Sequence, residues 1–340
     1  MTLTPTVSVV IVSYNTVALL RACLKSLARQ PERLQLIVVD NASDDGSAAM
    51  VKQEFPRTTL IRNTRNVGFA VANNQGFAVA TGDYVLMLNS DCEIPPPRGS
   101  RGAIGSLVQT LDAQPKVGVV APRLRNADGT VQQSACWSEP SILTELLEYT
   151  LLNRALYRLF PTTRYPGKRL LTRAELTHSH DVTDLLGACL LFRRPLLDQV
   201  GTLDERFFIF LEETDFNRRV RRTGLTLRYQ TETTVIHRWG SSVDAAGTLR
   251  RRFSLFFPSL YTYWKKNRFP GYGVIAYLIT LFGSAAIYLL ALILWPVGLV
   301  IGRLGRTSRS LRDIYGSVLW WHLGGGRGAV PSLRADTLNP

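Results

Sequence analysis

The chain has 340 residues, enough for one large α/β domain with an appendage or for two domains. Its 46% hydrophobic content excludes an intrinsically disordered chain, and 40 basic against 26 acidic residues (net +14) point to an anionic partner: a nucleotide diphosphate, an acidic lipid surface or nucleic acid. The four cysteines, Cys23, Cys92, Cys136 and Cys189, lack metal-ligand spacing, which argues against a disulfide framework and for a reducing compartment.

Val7–Val12 is a β-branched run that stops at Ser13-Tyr14-Asn15, and Val17–Arg29 then carries apolar residues at helical spacing. A second strand, Leu36–Val39, ends at Asp40 and a polar turn. A helix (Ala48–Phe55), a strand (Thr59–Arg62) and a helix (Phe69–Ala80) lead to the apolar strand Tyr84–Leu88, which ends abruptly in Asn89-Ser90-Asp91. Strands alternating with helices predict a Rossmann-like, mostly parallel sheet with helices on both faces and right-handed crossovers. Ligands of such sheets bind beyond the carboxyl ends of the strands. Two acidic strand ends, at Asp40 and Asp91, therefore mark a nucleotide crevice, with Asp91 placed to hold a divalent cation against a diphosphate.

Three segments carry a family resemblance: Val-Ser-Val-Val-Ile-Val-Ser-Tyr-Asn, then Val-Val-Asp-Asn-Ala-Ser-Asp-Asp-Gly-Ser, then Asn-Val-Gly-Phe-Ala…Asn-Asn-Gln-Gly…Gly-Asp-Tyr-Val-Leu-Met-Leu-Asn-Ser-Asp. Together, over about residues 6–95, they resemble the family 2 glycosyltransferases, inverting enzymes of GT-A fold that use nucleotide-sugar donors. The resemblance implies that Ser13, Tyr14, Asn15 and Asp40 hold the nucleotide, Asp40 facing the base. It adds Asn66, Gly68 and Asn74 to the donor site and makes Asn89, Ser90 and Asp91 the metal motif. The family's motif is Asp-x-Asp. Asn at the first position matches the rhamnosyltransferase-like branch and leaves Asp91 as the carboxylate ligand.

The sheet is expected to continue through Val117–Val120, and Asn126-Ala-Asp-Gly129 signals a hairpin turn. Ile142–Phe160 has a helical apolar stripe with basic residues at its end, which fits either a core helix or an amphipathic helix on an acidic membrane. A second acidic cluster, Glu212-Glu213-Thr214-Asp215, follows an apolar run. Inverting transfer needs a base near the acceptor hydroxyl. By resemblance Glu213 occupies the position of the base, with Glu212 as its rival and Asp215 orienting the helix that continues to Arg219. Gly187, Ala188 and Trp239 would face the acceptor. His237, 24 residues after Glu213, would complete the metal site with Asp91, binding Mg²⁺ or Mn²⁺.

Val274–Ile301 is 28 residues without a charge, against the roughly 20 that cross a bilayer. Tyr272 and Trp295 near its ends suit an interface. A membrane-associated helix is expected, and a core hairpin broken at Gly283-Ser284 is the alternative. Arginines on both sides balance, so the positive-inside rule does not orient it, and a re-entrant or in-plane helix, with Leu311–Leu323 at the interface, is equally compatible. The expected division is a GT-A domain over residues 1–245 (nucleotide half 1–95, acceptor and catalytic half 96–245), a helical membrane region over 246–323 and a flexible tail over 324–340.

The expected activity is metal-dependent transfer of a sugar, L-rhamnose from dTDP-L-rhamnose by branch resemblance, to a lipid-linked glycan. The reaction would serve O-antigen or another cell-surface polysaccharide at the cytoplasmic face of a bacterial inner membrane. A nucleotidyltransferase would be expected to carry a Gly-rich phosphate loop, which the Ser13–Asn15 stretch lacks. A non-catalytic subunit of the same fold is the other alternative. Nucleic-acid binding fits only the charge, and the oligomeric state is left open.

Overall fold

Val7–Ser13 (β1) alternates its side chains between two helical layers, which is why every position of so short a strand is apolar or small. Val7, Val9 and Ile11 pack with Leu20, Leu24 and Leu27 of α1 (Val17–Leu27). Val10 packs on the opposite face with Ala70 and Phe77 of α3 (Phe69–Ala78). The computed structural model describes residues 6–97, 102–148, 156, 159–160, 168–238, 249–300 and 302–325.

The remaining elements of the first half follow the expected order: β2 (Leu34–Asp40), α2 (Ser47–Glu54), β3 (Thr59–Arg62) and β4 (Tyr84–Asn89). After β4 come β5 (Cys92–Glu93), α4 (Ala103–Ala113), β6 (Val117–Arg125), β7 (Ala135–Cys136) and α5 (Ile142–Glu148). Then follow β8 (His180–Val182), β9 (Asp184–Leu185), β10 (Cys189–Arg193), α6 (Leu196–Val200), α7 (Glu212–Arg222) and β11 (Thr226–His237). The main sheet runs β3-β2-β1-β4-β10-β6-β11-β5, with β8 also beside β11. β1, β2, β3 and β4 are mutually parallel, as are β6 and β11. β10 enters between β4 and β6 antiparallel to both, and the short β5 and β8 each run antiparallel to β11. The sheet is therefore mostly parallel, as the βα alternation predicts, and mixed through the reversal at β10 and the short strands β5 and β8. This mixed sheet with helices on both faces is the GT-A fold. The reversal matters for the site, because it brings the start of β10 to the carboxyl end of β4.

Gly76 lets α3 lie directly on β1: a Cβ there would stand 2.2 Å from Val10 Cγ1. Gly76→Ala is expected to lower stability by about 1–3 kcal/mol through overpacking, read as a shifted urea midpoint with an unchanged slope.

The chain divides into two units, Met1–Glu139 with Arg169–Ala245, and Pro140–Lys168 with Ala246–Pro340. The second contains α5 and three long helices, α8 (Leu249–Asn267), α9 (Tyr272–Val300) and α10 (Gly302–Trp320). The Ile142 amide donates to the Tyr272 hydroxyl, and Arg268 Nη2 donates to Pro140 O at 3.0 Å, which ties α5 to these helices. α9 is continuous through Gly283 and Ser284, so the broken hairpin does not form there. It is, among the described residues, the helix long and apolar enough to cross a membrane, over Tyr272–Pro296.

Candidate active site

Three parallel strands end abreast. Ser13 is in register with Asp40, and Val12 with Asn89. Asp40 is buried and its Oδ1 accepts no hydrogen bond among the described residues; Asn89 Oδ1 is also buried without a partner. A buried acceptor left unmatched at a strand end is a place for a ligand donor, since leaving it unmade is costly.

The loops beyond these strands are laced together. Asn15, with φ +54°, gives its N–H to Ser43 Oγ (3.0 Å) and accepts the Asp44 N–H on Oδ1 (2.9 Å). Ser13, Thr16 and Ser90 form a buried hydroxyl chain with steps of 2.9 and 3.0 Å. The Ser13 and Ser90 hydroxyls thus join the β1 and β4 loops to each other, while Tyr14 is 36% exposed. Asn66 Oδ1 accepts from Asn41 Nδ2 (2.8 Å) and from the Gly68 N–H (3.0 Å). Asn74 is engaged by Leu203 on both its amide atoms (2.8 and 3.0 Å). Both asparagines hold loops in place with the groups that sequence resemblance assigns to the donor. Gly68 has φ +90°, and a Cβ on it would meet Phe208 O at 2.7 Å. Among the described residues the non-glycine positive φ values fall at Asn15, Ala42, Phe210 and Leu211, in the loops around this end of the sheet and just before the second acidic cluster. Backbone strain of that kind gathers at functional sites.

Asp91 lies two residues beyond the end of β4, and His237 ends β11, where it pairs with Cys92 of β5. Asp91 Oδ1 lies 3.3 Å from His237 Nε2, and Asp91, Cys92 and His237 offer ligand atoms within 4.8 Å of one another. Gln132 decides which way the imidazole faces. Its Nε2 donates to two carbonyl oxygens, His237 O (2.6 Å) and Asn126 Oδ1 (2.5 Å), so its Oε1 must accept from His237 Nδ1 (2.9 Å). The Nε2 lone pair of the neutral ring is then aimed at a carboxylate oxygen, an arrangement that needs a proton or a cation between the two. A carboxylate and an imidazole oriented from behind by an amide suit Mn²⁺ or Mg²⁺. Burial, followed by the charges of Cys189 and Asp91, pushes the Cys92 thiol well above its ordinary range, and its Sγ donates to Ala188 O (3.4 Å). The thiol is consequently a poorer ligand than its two neighbours. Gln132 carried no signal in the sequence; the Asn126–Gly129 turn that folds it back, with Gly129 at φ +83°, did.

The second cluster opens α7. Asp184, at the start of β9, accepts Asn217 Nδ2 (2.8 Å), Thr214 Oγ1 (2.9 Å) and the Leu185 N–H (3.1 Å), which fixes the first turn of the helix. Asp215 is fully buried and holds Arg219 Nε at 2.9 Å; the same guanidinium donates to Gly201 O and Thr202 O. Arg218 and Arg221 both bind Glu139. Carboxylates in the first turn and arginines in the last also match the helix dipole. Two carboxyl oxygens remain buried without a partner among the described residues, Glu212 Oε2 and Glu213 Oε2. Burial and the Asp184 charge push Glu213 up to about 7. Burial and the charge of Glu213 push Glu212 well above the ordinary carboxylate range.

The two clusters meet at Gly187-Ala188. The Ala188 carbonyl accepts the Asn89 N–H (2.9 Å) beside the Asp91 loop. Gly187 has room for no Cβ without pressing on Glu213 Cβ (3.3 Å) and Met87 Cε (3.2 Å). A loop from the antiparallel β10 thus stands between the metal-type pair and the carboxyl poised near neutrality. Trp239 lies outside the described residues.

Comparison with known proteins bears on the family and the fold. The chain is 29% identical over 247 residues to N-acetylglucosaminyl-diphospho-decaprenol L-rhamnosyltransferase of Mycobacterium tuberculosis, covering 69% of this chain and 76% of that protein. It is 25% identical over 244 residues to the O-antigen biosynthesis protein RfbC of Myxococcus xanthus, covering 70% of this chain and 18% of the relative. The fold is similar to that of the mannosyltransferase PcManGT from Pyrobaculum calidifontis, solved with GDP-Man and Mn²⁺, with a TM-score of 0.56, 18% identity and coverage of 94% and 86% of the two chains. Residues 8–201, more than half of the chain and the stretch that contains Asp40, Asn89, Asp91 and Gly187-Ala188, match the family Glycosyl transferase family 2. With that match, the chain belongs to glycosyl transferase family 2, and it is similar in sequence to a rhamnosyltransferase.

Proposed function

We propose that this protein is an inverting, divalent-cation-dependent glycosyltransferase that moves L-rhamnose from dTDP-L-rhamnose to a lipid-linked glycan. The reaction would take place at the cytoplasmic face of a bacterial inner membrane, for a cell-surface polysaccharide. The observation that carries the reading is the buried Glu213 carboxyl, with Oε2 left without a partner among the described residues, held near 7 against Gly187-Ala188, one loop away from Asp91 and His237. The rhamnosyl donor and lipid-linked acceptor are supported by the activity of the mycobacterial relative, an N-acetylglucosaminyl-diphospho-decaprenol L-rhamnosyltransferase.

In this reading Asp40 faces the nucleotide base and Asn89 accepts from the donor, each with an oxygen that has no partner among the described residues. Asp91 and His237 hold the cation, which when bound stabilises charge on the leaving nucleoside diphosphate. Glu213 takes the proton of an acceptor hydroxyl as that oxygen bonds to the anomeric carbon. The bond from that carbon to the diphosphate breaks on the opposite face, so the configuration inverts without a covalent enzyme intermediate. A pKa near the working pH suits a general base, since the group is ionised yet still basic. Glu212, raised well above the ordinary carboxylate range by burial and by the charge of Glu213, lies beside it, and Asp215 keeps the helix in place. Gly187 and Ala188 border the acceptor.

Nucleotide sugars offered with Mg²⁺ or Mn²⁺ test the reading. Slow hydrolysis of dTDP-L-rhamnose, and its transfer to a polyprenyl-diphosphate-linked sugar with inverted configuration, are expected. Consumption of a UDP-sugar in its place would overturn the donor assignment and leave the family intact. Gln132→Leu, which removes the partner of His237 Nδ1 and touches no ligand position, is expected to weaken cation-dependent nucleotide binding about 10–100-fold. A cation titration of nucleotide affinity measures this.

A further inference from the structure

α9 is two-faced. Val274, Leu278, Phe282, Leu289 and Ile293 follow one another at helical spacing and are all exposed, Phe282 at 66% and Ile293 at 71%. Ala276, Thr280, Ser284, Ile287 and Ala291, on the opposite arc, are buried within the helical unit. α10 runs back along that buried arc. Ser308 Oγ donates to Ala291 O (2.5 Å), a Cβ on Gly316 would meet the Tyr288 ring at 2.9 Å, and the Tyr277 hydroxyl donates to His322 O (2.8 Å). These contacts fix the pairing as antiparallel, with Arg312 and Asp313 beside the middle of α9; Arg312 lies over the Trp295 ring at 4.0 Å. Arg309, Ser310 and Asp313 are exposed on α10.

A spanning α9 would carry this neighbour with it. Asp313, paired with Arg312 at 3.1 Å, would then stand beside the uncharged span while the Arg312 guanidinium reaches only to its Trp295 end, and charged groups are the costliest to place at bilayer depth. Laid flat, the same hairpin has an apolar underside and a polar upper side, the division of an interfacial helix. Its surroundings in sequence suit acidic headgroups: Arg250, Arg251, Arg252, Lys265, Lys266 and Arg268 precede the hairpin, Arg303 and Arg306 lie within it, and no acidic residue falls between Arg250 and Arg312. Trp295, Trp320 and Trp321 add side chains that favour the headgroup level.

We propose that α9 and α10 form a monotopic hairpin that lies in one leaflet of an anionic bilayer, with the Val274–Ile293 stripe in the acyl region, and does not cross it. This goes beyond the glycosyltransferase reading, and its test does not depend on activity.

Full-length protein is added to preformed phosphatidylcholine vesicles, with or without phosphatidylglycerol, and floated on a density gradient. Binding to the anionic vesicles is expected, with neutral vesicles at least about tenfold weaker. Ser310→Cys on the bound protein should react with a membrane-impermeant maleimide. The four native cysteines are buried, so the parent protein gives the background. The double variant Phe282→Asp/Ile293→Asp should leave the vesicles while keeping the parent thermal transition. Protection of Ser310→Cys until detergent is added would overturn the proposal in favour of a spanning hairpin. A detergent-free dimer that does not float, and that Phe282→Asp dissociates, would make the stripe an interface between two copies and overturn it as well.

Discussion

Glu213→Gln is expected to reduce sugar transfer by about 10²–10⁴-fold, the range of a general-base contribution, while nucleotide-sugar binding stays near the parent value. Gln keeps the length of the side chain and its contact with Gly187 but cannot take a proton. Two pH dependences accompany the loss. Since burial holds Glu213 at about 7, parent kcat/KM should fall about tenfold for each pH unit below that value. Stability moves the other way. The folded pKa of Glu213 is raised above its unfolded value, so what this group contributes is fully present below the unfolded carboxylate pKa and is lost as pH rises through about 7; Glu212 is shifted in the same direction. Glu213→Gln should therefore be more stable than the parent by on the order of 1–3 kcal/mol at about pH 8, and indistinguishable at about pH 4. A variant that is inactive and more stable at once is not explained by misfolding. Glu212→Gln and Asp215→Asn should cost less activity, the second through release of Arg219 and the start of α7. Near-parent transfer in Glu213→Gln, with loss in either neighbour, would move the base by a residue; full transfer in all three would make the cluster structural.

The first half of the fold was legible because its strands are buried on both faces. A run such as Val7–Val12 or Tyr84–Leu88 admits no other placement, and the intervening helices carry the 3.6 period. Chain direction was not legible for β10, since five apolar residues between two loops read alike in either sense. That reversal is what brings Gly187-Ala188 to the end of β4. The acidic clusters stood out because polar residues closing an apolar run have no structural need. What holds them was hidden: Gln132 behind His237, Asp184 under α7 and Thr16 between Ser13 and Ser90 are ordinary polar residues until the chain folds. Asn66 and Asn74 illustrate the converse, since their motif is plain in the sequence while their amides tie loops together.

Asp91→Ala should act on a different step, and the contrast with Glu213→Gln is the strongest check on the division of roles. Asp91 is 2% exposed, and its carboxylate faces the lone pair of an imidazole that Gln132 holds in one tautomer. Removing it leaves a neutral imidazole and the neutral Asn89 for a divalent cation, and hard cations bind such a set weakly without a carboxylate. Cation-dependent nucleoside diphosphate affinity and turnover are expected to fall together, by more than about 100-fold, since even losing a group behind a ligand costs 10–100-fold. Calorimetric titration with Mn²⁺ and then with a chelator reads the effect directly. Parent affinity should drop on chelation, whereas Asp91→Ala should start low and not respond. Asp91→Asn, which keeps an oxygen ligand without its charge, should fall between them and do better with Mn²⁺ than with Mg²⁺. The backbone carbonyl of Asp91 accepts the Arg238 N–H at 3.0 Å in any variant, so the join between β5 and β11 persists and a lost fold is not the expected cause. If Asp91→Ala keeps a chelator-sensitive nucleotide affinity, the cation is held elsewhere, and the assignment of Asp91 and His237 as its ligands fails.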